Sequence, residues 1–375
     1  MDDEESSSTR RALLRSAALT TPAVFSGLAG CEWVSESGNG PNMTEPSTGT
    51  ATTPTAASPG ADSLPDPLSA DGSNPLVFLD DQLLDSYMGE LALGMADSGT
   101  APLNGFLVGY PREVYKDEGP YERQRQLSTS NLRETRRVAT QSGLENLPPA
   151  ELGVFEQHQK PSSEAIEDTE PIGSVGTDRL VATARAATPD NPAVVAAGGD
   201  LCTVADAYLT DPSIADSLVV YWHEQVADIN DQSGYNIRNS GWSAYIVLKR
   251  LAVALNHSSG GFTITTEEVD ERIPSPLDQY MMTKEHWNWG NPLTSSEFSE
   301  QGSHGAHDEK ALTLAVFPNT RLETRRMTVT GLQASDWDYE TEMIMPTLGP
   351  GPADSNLVHI TDISESDRPF WSAWK

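Results

Sequence analysis

Two short stretches carry side chains able to do chemistry. The first is Leu79-Asp80-Asp81-Gln82-Leu83-Leu84-Asp85-Ser86, a crowd of acids directly after the apolar run Pro75–Leu79. Carboxylates gathered at a strand end can hold a hard cation through oxygen ligands or act as general bases. The second is His304-Gly305-Ala306-His307-Asp308, with the apolar stretch Ala311–Val316 behind it. A His-Asp pair there offers a proton donor beside a metal ligand. His304 and His307 also have a spacing that suggests zinc, but no further His or Cys cluster completes such a set. In a chain with 55 acids against 24 bases, acids at a strand end are equally what a solvated surface shows. The elements around them must therefore decide whether they meet.

Pro75–Leu79 reads as a buried strand, and residues 83–95 have helical spacing. Residues 104–108 read as a second strand, 131–142 as a charged amphipathic helix and 153–155 as a short strand. A helix over 178–187, a buried strand over 193–197, a helix over 204–209 and a strand over 218–221 follow. Residues 242–255 have strong helical periodicity throughout. This alternation predicts an α/β fold: a mainly parallel, doubly wound sheet with helices on both faces. Ligands of such sheets bind beyond the C-terminal strand ends, where Asp80 and Asp81 stand. On an extended strand, however, Asp80 should face away from Asp81. There is no internal repeat, P-loop or dinucleotide glycine motif.

The order of motifs resembles the nucleoside hydrolases of the inosine-uridine type. Those open with a strand ending Asp-x-Asp-Pro-Gly-x-Asp-Asp, which aligns without gaps on Leu79 to Ser86. Their Gly-Pro-Leu-Thr-Asn turn and the helix running into Asp-Pro resemble Val194 to Pro212, with Gly199-Asp200-Leu201-Cys202-Thr203 at the turn. Their Phe-Asn segment is similar to Tyr235-Asn236-Ile237, and their late His-Asp before an apolar helix to His307-Asp308 and Leu314-Ala315-Val316-Phe317-Pro318. The closing segments, Glu323–Val329, Asn356–Ile360 and a terminal helix at Phe370-Trp371, also fit, so the likeness spans residues 75–375.

The resemblance implies a bound Ca²⁺ that holds ribose hydroxyls and a water, and hydrolysis of an N-glycosidic bond. It implies Asp81 as general base and calcium ligand, Cys202 as a backbone-carbonyl ligand and Asp308 as a calcium ligand. Asp85 and Asn236 would contact the ribose, and His307 would give a proton to the departing base. The chain departs from the pattern at Leu79 and Ser86, where the family has acids, and at Gly234. Asp80, displaced by one position, is the carboxylate at hand to compensate. The alternative is a nucleoside- or carbohydrate-binding surface protein without turnover. Tyr280, Trp287 and Trp289 either stack on a nucleobase or pack a long loop.

The net charge of −31 sets the chain against nucleic acid and anionic membrane and suits a salt-rich solvent, so we expect a halophilic protein with a small-molecule partner. Arg10-Arg11 followed by Ala12-Leu13-Leu14 reads as a twin-arginine export signal. The apolar stretch 17–29 is too short to span a bilayer. Leu28-Ala29-Gly30-Cys31 resembles a lipobox, so the chain is expected on the outer face of the cell membrane, held by lipid on Cys31. Residues 1–31 are then the signal and anchor, 32–73 an acidic Ser/Thr/Pro tether, and 74–375 the domain. Asn42-Met43-Thr44 is a glycosylation sequon. Nothing in the sequence excludes a homo-oligomer.

Overall fold

The computed structural model describes residues 64–81, 88–109, 122–224, 236–237, 240–256, 262–283, 286–288, 291–294, 302–306, 308–334, 344–364 and 368–374. Among the strands, β1 is Leu76–Asp80, β2 Leu103–Val108, β3 Ala150–Leu152, β4 Ala193–Ala197, β5 Leu218–His223 and β6 Ala252–Asn256. Further on come β7 Phe262–Thr265, β8 His286–Asn288, β9 Asn291–Thr294, β10 Ser303–Ala306, β11 Arg321–Ala334, β12 Ile344–Pro350 and β13 Leu357–Ile363. The helices are α1 Met88–Asp97, α2 Glu122–Gln141, α3 Val175–Ala186, α4 Cys202–Thr210, α5 Gly241–Arg250, α6 Thr266–Arg272, α7 Leu277–Thr283 and α8 Glu309–Val316.

Nine strands form one sheet in the order β12-β11-β13-β6-β5-β4-β1-β2-β3. From β13 to β3 every neighbouring pair is parallel; β11 runs antiparallel to both β12 and β13. The mainly parallel, doubly wound α/β sheet expected from the alternation is thus the fold. The chain builds outward from β1 through β2 to β3, then returns to lay β4 on the other side of β1. Strand order reverses there, and that reversal opens a crevice at the C-terminal ends of β1 and β4.

Both faces are buried, so the central strands are continuously apolar rather than alternating. Leu76 and Phe78 of β1 point into one layer with α1, α2 and α8, whereas Val77 and Leu79 point into the other with α3, α4 and α5. Several boundaries differ from the expectation: α2 begins at Glu122 rather than at 131, and β3 lies over Ala150–Leu152 rather than 153–155. The third strand ends at Leu152, because Gly153 is pressed against Thr203: a Cβ there would lie 2.3 Å from its hydroxyl. The helix expected over 242–255 stops at Arg250, and β6 begins two residues later. Leu251–Leu255 is apolar throughout, and a short buried strand of that kind looks the same as the next turns of a buried helix.

Residues 64–73 lie against the domain. Arg321 donates to the carbonyls of Leu68 and Ala70 (3.1 and 2.9 Å), and Ala70 is buried. At the other end, the short 3₁₀ turn Pro369–Ala373 sets Trp374 onto Gly94 of α1. A Cβ at Gly94 would fall 1.9 Å from the Trp374 ring. Gly94→Ala should therefore lower stability by about 1–3 kcal/mol, the usual range for overpacking. Thermal unfolding followed by circular dichroism tests this, and an unchanged midpoint would contradict the contact. Among the described residues, no helix is long and apolar enough to cross a membrane.

Candidate active site: a carboxylate cluster at the switch point

Asp80 closes β1 and Asp81 follows it; Asp308 stands at the N-cap of α8. All three are buried, and one carboxylate oxygen from each lies within 4.8 Å of the others. The pleat explains why Asp80 belongs. Position 80 continues the Leu76–Phe78 face of β1, the face on which Ala311, Leu312, Leu314 and Ala315 of α8 pack. Asp80 therefore turns toward the helix that carries Asp308. Asp81 lies beyond the last strand residue, where the alternation no longer holds, so the expectation that the two acids face apart is corrected.

Two glycines after β4 make room for the cluster. A Cβ on Gly198 would lie 2.1 Å from the Asp308 carboxyl carbon, and one on Gly199 would lie 2.9 Å from Cβ of Asp81. The Gly198 amide donates to the Leu79 carbonyl (2.9 Å), and the Trp222 indole N–H of β5 donates to the Gly199 carbonyl (2.9 Å). Only a bare backbone fits between β1 and Asp308 at this point.

Asn236 joins the site from the β5 side. Its Nδ2 donates to the carbonyls of Gly198 (2.6 Å) and His223 (3.1 Å), which fixes the orientation of the amide. Its Oδ1 is buried and has no hydrogen-bond partner among the described residues. Glu224, the residue after β5, holds this turn: its two carboxylate oxygens accept from the amides of Asn236 (3.2 Å) and Ile237 (2.6 Å). Sequence reasoning missed Glu224. Its signal was only an acid one step past a buried strand, repeating the placement of Asp81 after β1.

Cys202 is the first residue of α4. Its amide donates to Asp200 Oδ1 (2.7 Å), and its thiol lies 3.3 Å from Ser243 Oγ. Burial pushes the thiol well above its ordinary range, with the Asp200 charge adding to the shift. Burial likewise pushes Asp200 up to about 7, against the Cys202 amide that bonds to it. Behind Cys202 the polar chain continues inward. Ser243 Oγ lies 3.0 Å from His158 Nδ1, and His158 Nε2 lies 3.2 Å from Asp206 Oδ1. Asp206 also accepts from the amides of Ile172 (2.6 Å) and Gly173 (3.0 Å) and from the Thr177 hydroxyl (2.6 Å).

The structure thus brings Asp81, Asp308, Asn236 and, beside them, Cys202 to one end of the sheet, and adds Asp80. Asp85 and His307 lie outside the described residues, as do Cys31, Ser86, Tyr235 and Trp289. His304 sits on β10, paired with Ile264 of β7, and Trp287 on β8. Tyr280 of α7 is half-buried, with its hydroxyl 3.4 Å from that of Thr135 in α2, so it packs helix on helix.

Fold and site together define a doubly wound α/β protein with an acidic, cation-sized crevice at its switch point. No family model and no curated protein matches the chain. Solved structures that resemble it include a purine-preferring ribonucleoside hydrolase from Gardnerella vaginalis, at 14% identity and TM-score 0.46 over 80% of this chain and 97% of that one. Another is an inosine-uridine preferring nucleoside hydrolase from Bacillus anthracis, at 13% identity and TM-score 0.47 over 80% and 97%. A third is a nucleoside hydrolase-related protein from Saccharophagus degradans associated with carbohydrate metabolism, at 11% identity and TM-score 0.41 over 76% and 67%.

Proposed function

We propose that this chain hydrolyses the N-glycosidic bond of nucleosides or related ribosyl compounds, with Ca²⁺ as cofactor. The observation that carries this reading is the buried meeting of Asp80, Asp81 and Asp308 at the switch point. The donors fit a hard dication. Calcium takes oxygen ligands at about 2.3–2.6 Å, so oxygens sharing one ion lie up to roughly 5 Å apart. Asp80, Asp81 and Asp308 would hold the ion, and the sequence resemblance adds the Cys202 carbonyl. Asp80 would supply the carboxylate that Ser86 does not. When bound, the ion would orient ribose hydroxyls and acidify a coordinated water.

The chain's own groups do the rest. Asp81 takes a proton from the attacking water, whose oxygen bonds to the anomeric carbon. The carbon–nitrogen bond breaks, and its electron pair leaves with the base, which gains a proton from His307. Anionic carboxylates around the sugar favour the positive charge that develops on it. Asn236 contributes the Oδ1 that its two carbonyl partners leave for a ribose hydroxyl.

The test is release of free base from inosine, guanosine and uridine in molar salt, followed by chromatography with and without calcium. Calcium-dependent release that is lost in Asp81→Ala supports the proposal. Binding of calcium and nucleoside without release would leave a capture protein, and no nucleoside binding would refute both readings. The domain would then stand on the outer face of the membrane, held by lipid on Cys31 through the tether expected over residues 32–73, of which 64–73 lie against the domain. Mass spectrometry of the mature protein should find an acylated Cys31 at its N-terminus; an intact Met1 end would refute the anchor.

A further inference from the structure

A second cavity, of about 750 Å³, lies away from the three aspartates and within the usual size range of ligand sites. One wall is built from four consecutive residues of β11, Gly331 to Ala334. A strand that turns a face to a cavity contributes alternate residues; one that contributes every residue turns its backbone edge. The pairing agrees. Strand β13 pairs with β11 only as far as Met327, and β12 pairs with Gly331–Ala334 from the other side. Among the described residues no strand covers the remaining edge of Gly331–Ala334. At Val329 that part of the strand is tied to the last turn of α5, where Lys249 Nζ donates to the Val329 carbonyl (3.0 Å). The start of α5 stays against β12, where a Cβ on Gly241 would lie 1.6 Å from the Ile344 carbonyl, and the cavity lies between that start, with Trp242 and Tyr245, and Gly331–Ala334, with Ile344 at its end.

The opposite wall is the segment from Gln157 to Lys160, with Glu164. Lys160 and Glu164 neutralise one another in an ion pair, and Glu164 is held at φ 59°, a conformation uncommon for a residue other than glycine. The remaining polar side chains are largely uncharged amides. His158, buried at the cavity floor, is held by Ser243 and Asp206, so this wall is fixed in place. In a chain of net charge −31, the cavity is a charge-balanced place that offers hydrogen bonds.

We propose that this cavity takes an extended, uncharged peptide segment, which adds as a strand to the β11 edge at Gly331–Ala334. A bare strand edge presents N–H and C=O groups in the repeat that another extended backbone matches. Four residues span roughly 13 Å, enough for a comparable length of ligand. Saccharide hydroxyls lack that repeat. A second copy of this domain offers the same edge at its own Gly331–Ala334, so a dimer whose edge is already protected from exchange without peptide would overturn the proposal. The proposal does not rest on the hydrolase reading, since it uses none of Asp80, Asp81, Asp308, Asn236 and Cys202; the His158 ring reaches Cys202 through Ser243.

Main-chain bonds carry the affinity in strand addition, so a generic peptide is a fair probe. The experiment titrates the whole protein, in high salt, with a blocked hexapeptide of threonine, alanine and glutamine. The same peptide methylated on its backbone nitrogens and maltotriose serve as comparisons, and hydrogen exchange locates the bound ligand. We expect saturable binding, weakened roughly tenfold or more by methylation, with exchange slowed over residues 328–334 and unchanged over residues 76–81. Asp81→Ala should bind the peptide as the wild type does. No saturable binding, equal binding of the methylated peptide, protection elsewhere only, or binding of maltotriose alone would each overturn the proposal.

Discussion

Replacing Asp308 by asparagine is expected to abolish the stabilisation that calcium gives the wild-type protein. A ligand that binds only the folded state adds about 4 kcal/mol at a thousandfold excess over its dissociation constant. The site that would receive it is assembled from β1 and α8 and exists only when these are docked. In the variant, one of three carboxylates that approach within 4.8 Å is replaced by a neutral amide of the same shape. The lost charge should remove most of the affinity for a hard dication. Chemical denaturation of both proteins, with and without calcium, measures all four stabilities. Equal gains from calcium in the two proteins would sink the assignment of the cluster as a cation site.

The second large effect is expected at Asp206→Ala, well away from any reacting atom. Asp206 and His158 are both buried, and Asp206 accepts from the His158 ring, two backbone amides and the Thr177 hydroxyl. Leaving a buried donor without its acceptor typically costs about 1–3 kcal/mol, and this change strands several at once. The donors left behind belong to the entry of α3 and to the segment after β3, so the loss should loosen both.

Its pH dependence has a definite sign. Burial alone raises the Asp206 carboxyl, but hydrogen bonds from His158, Thr177 and Ile172 outweigh it and leave the group below its ordinary value of 3.8. A lowered carboxyl stabilises the fold above its unfolded value and loses that contribution as pH falls through the folded one. The difference between wild type and Asp206→Ala should thus carry no Asp206 titration at neutral pH and shrink only in acid. Asp206→Asn, which keeps one acceptor oxygen, should fall between the two. Urea unfolding from neutral pH into acid checks this; a difference that vanishes between neutral pH and pH 5 would contradict the assignment.

Much of the sheet could be read directly, for a physical reason. Strands β1, β4 and β5 are buried on both faces, so each appears as an unbroken apolar run bounded by polar residues. Strand β6 could not be separated from α5, because burial makes both apolar and only the chain's turn at Leu251 divides them. Asp81, Asp308 and Asn236 were found through the order of motifs. Asp80 needed the position of α8, which decides what the far face of β1 meets. Glu224 and the line from Asp206 through His158 and Ser243 to Cys202 depend on contacts between distant segments. Neither the period of an element nor its local composition encodes such contacts.

Gly198 has a consequence for searching among distant relatives. In a chain this rich in aspartate and glutamate, finding an acid at a given position conveys little, because most positions of that kind would show one by composition alone. A position that tolerates no side chain is far more informative. Any chain that keeps the Asp308 carboxylate in this place must leave residue 198 bare, so glycine there and aspartate at 308 form a joint requirement. A sequence that has the aspartates but a larger residue at 198 should be read as having lost the site.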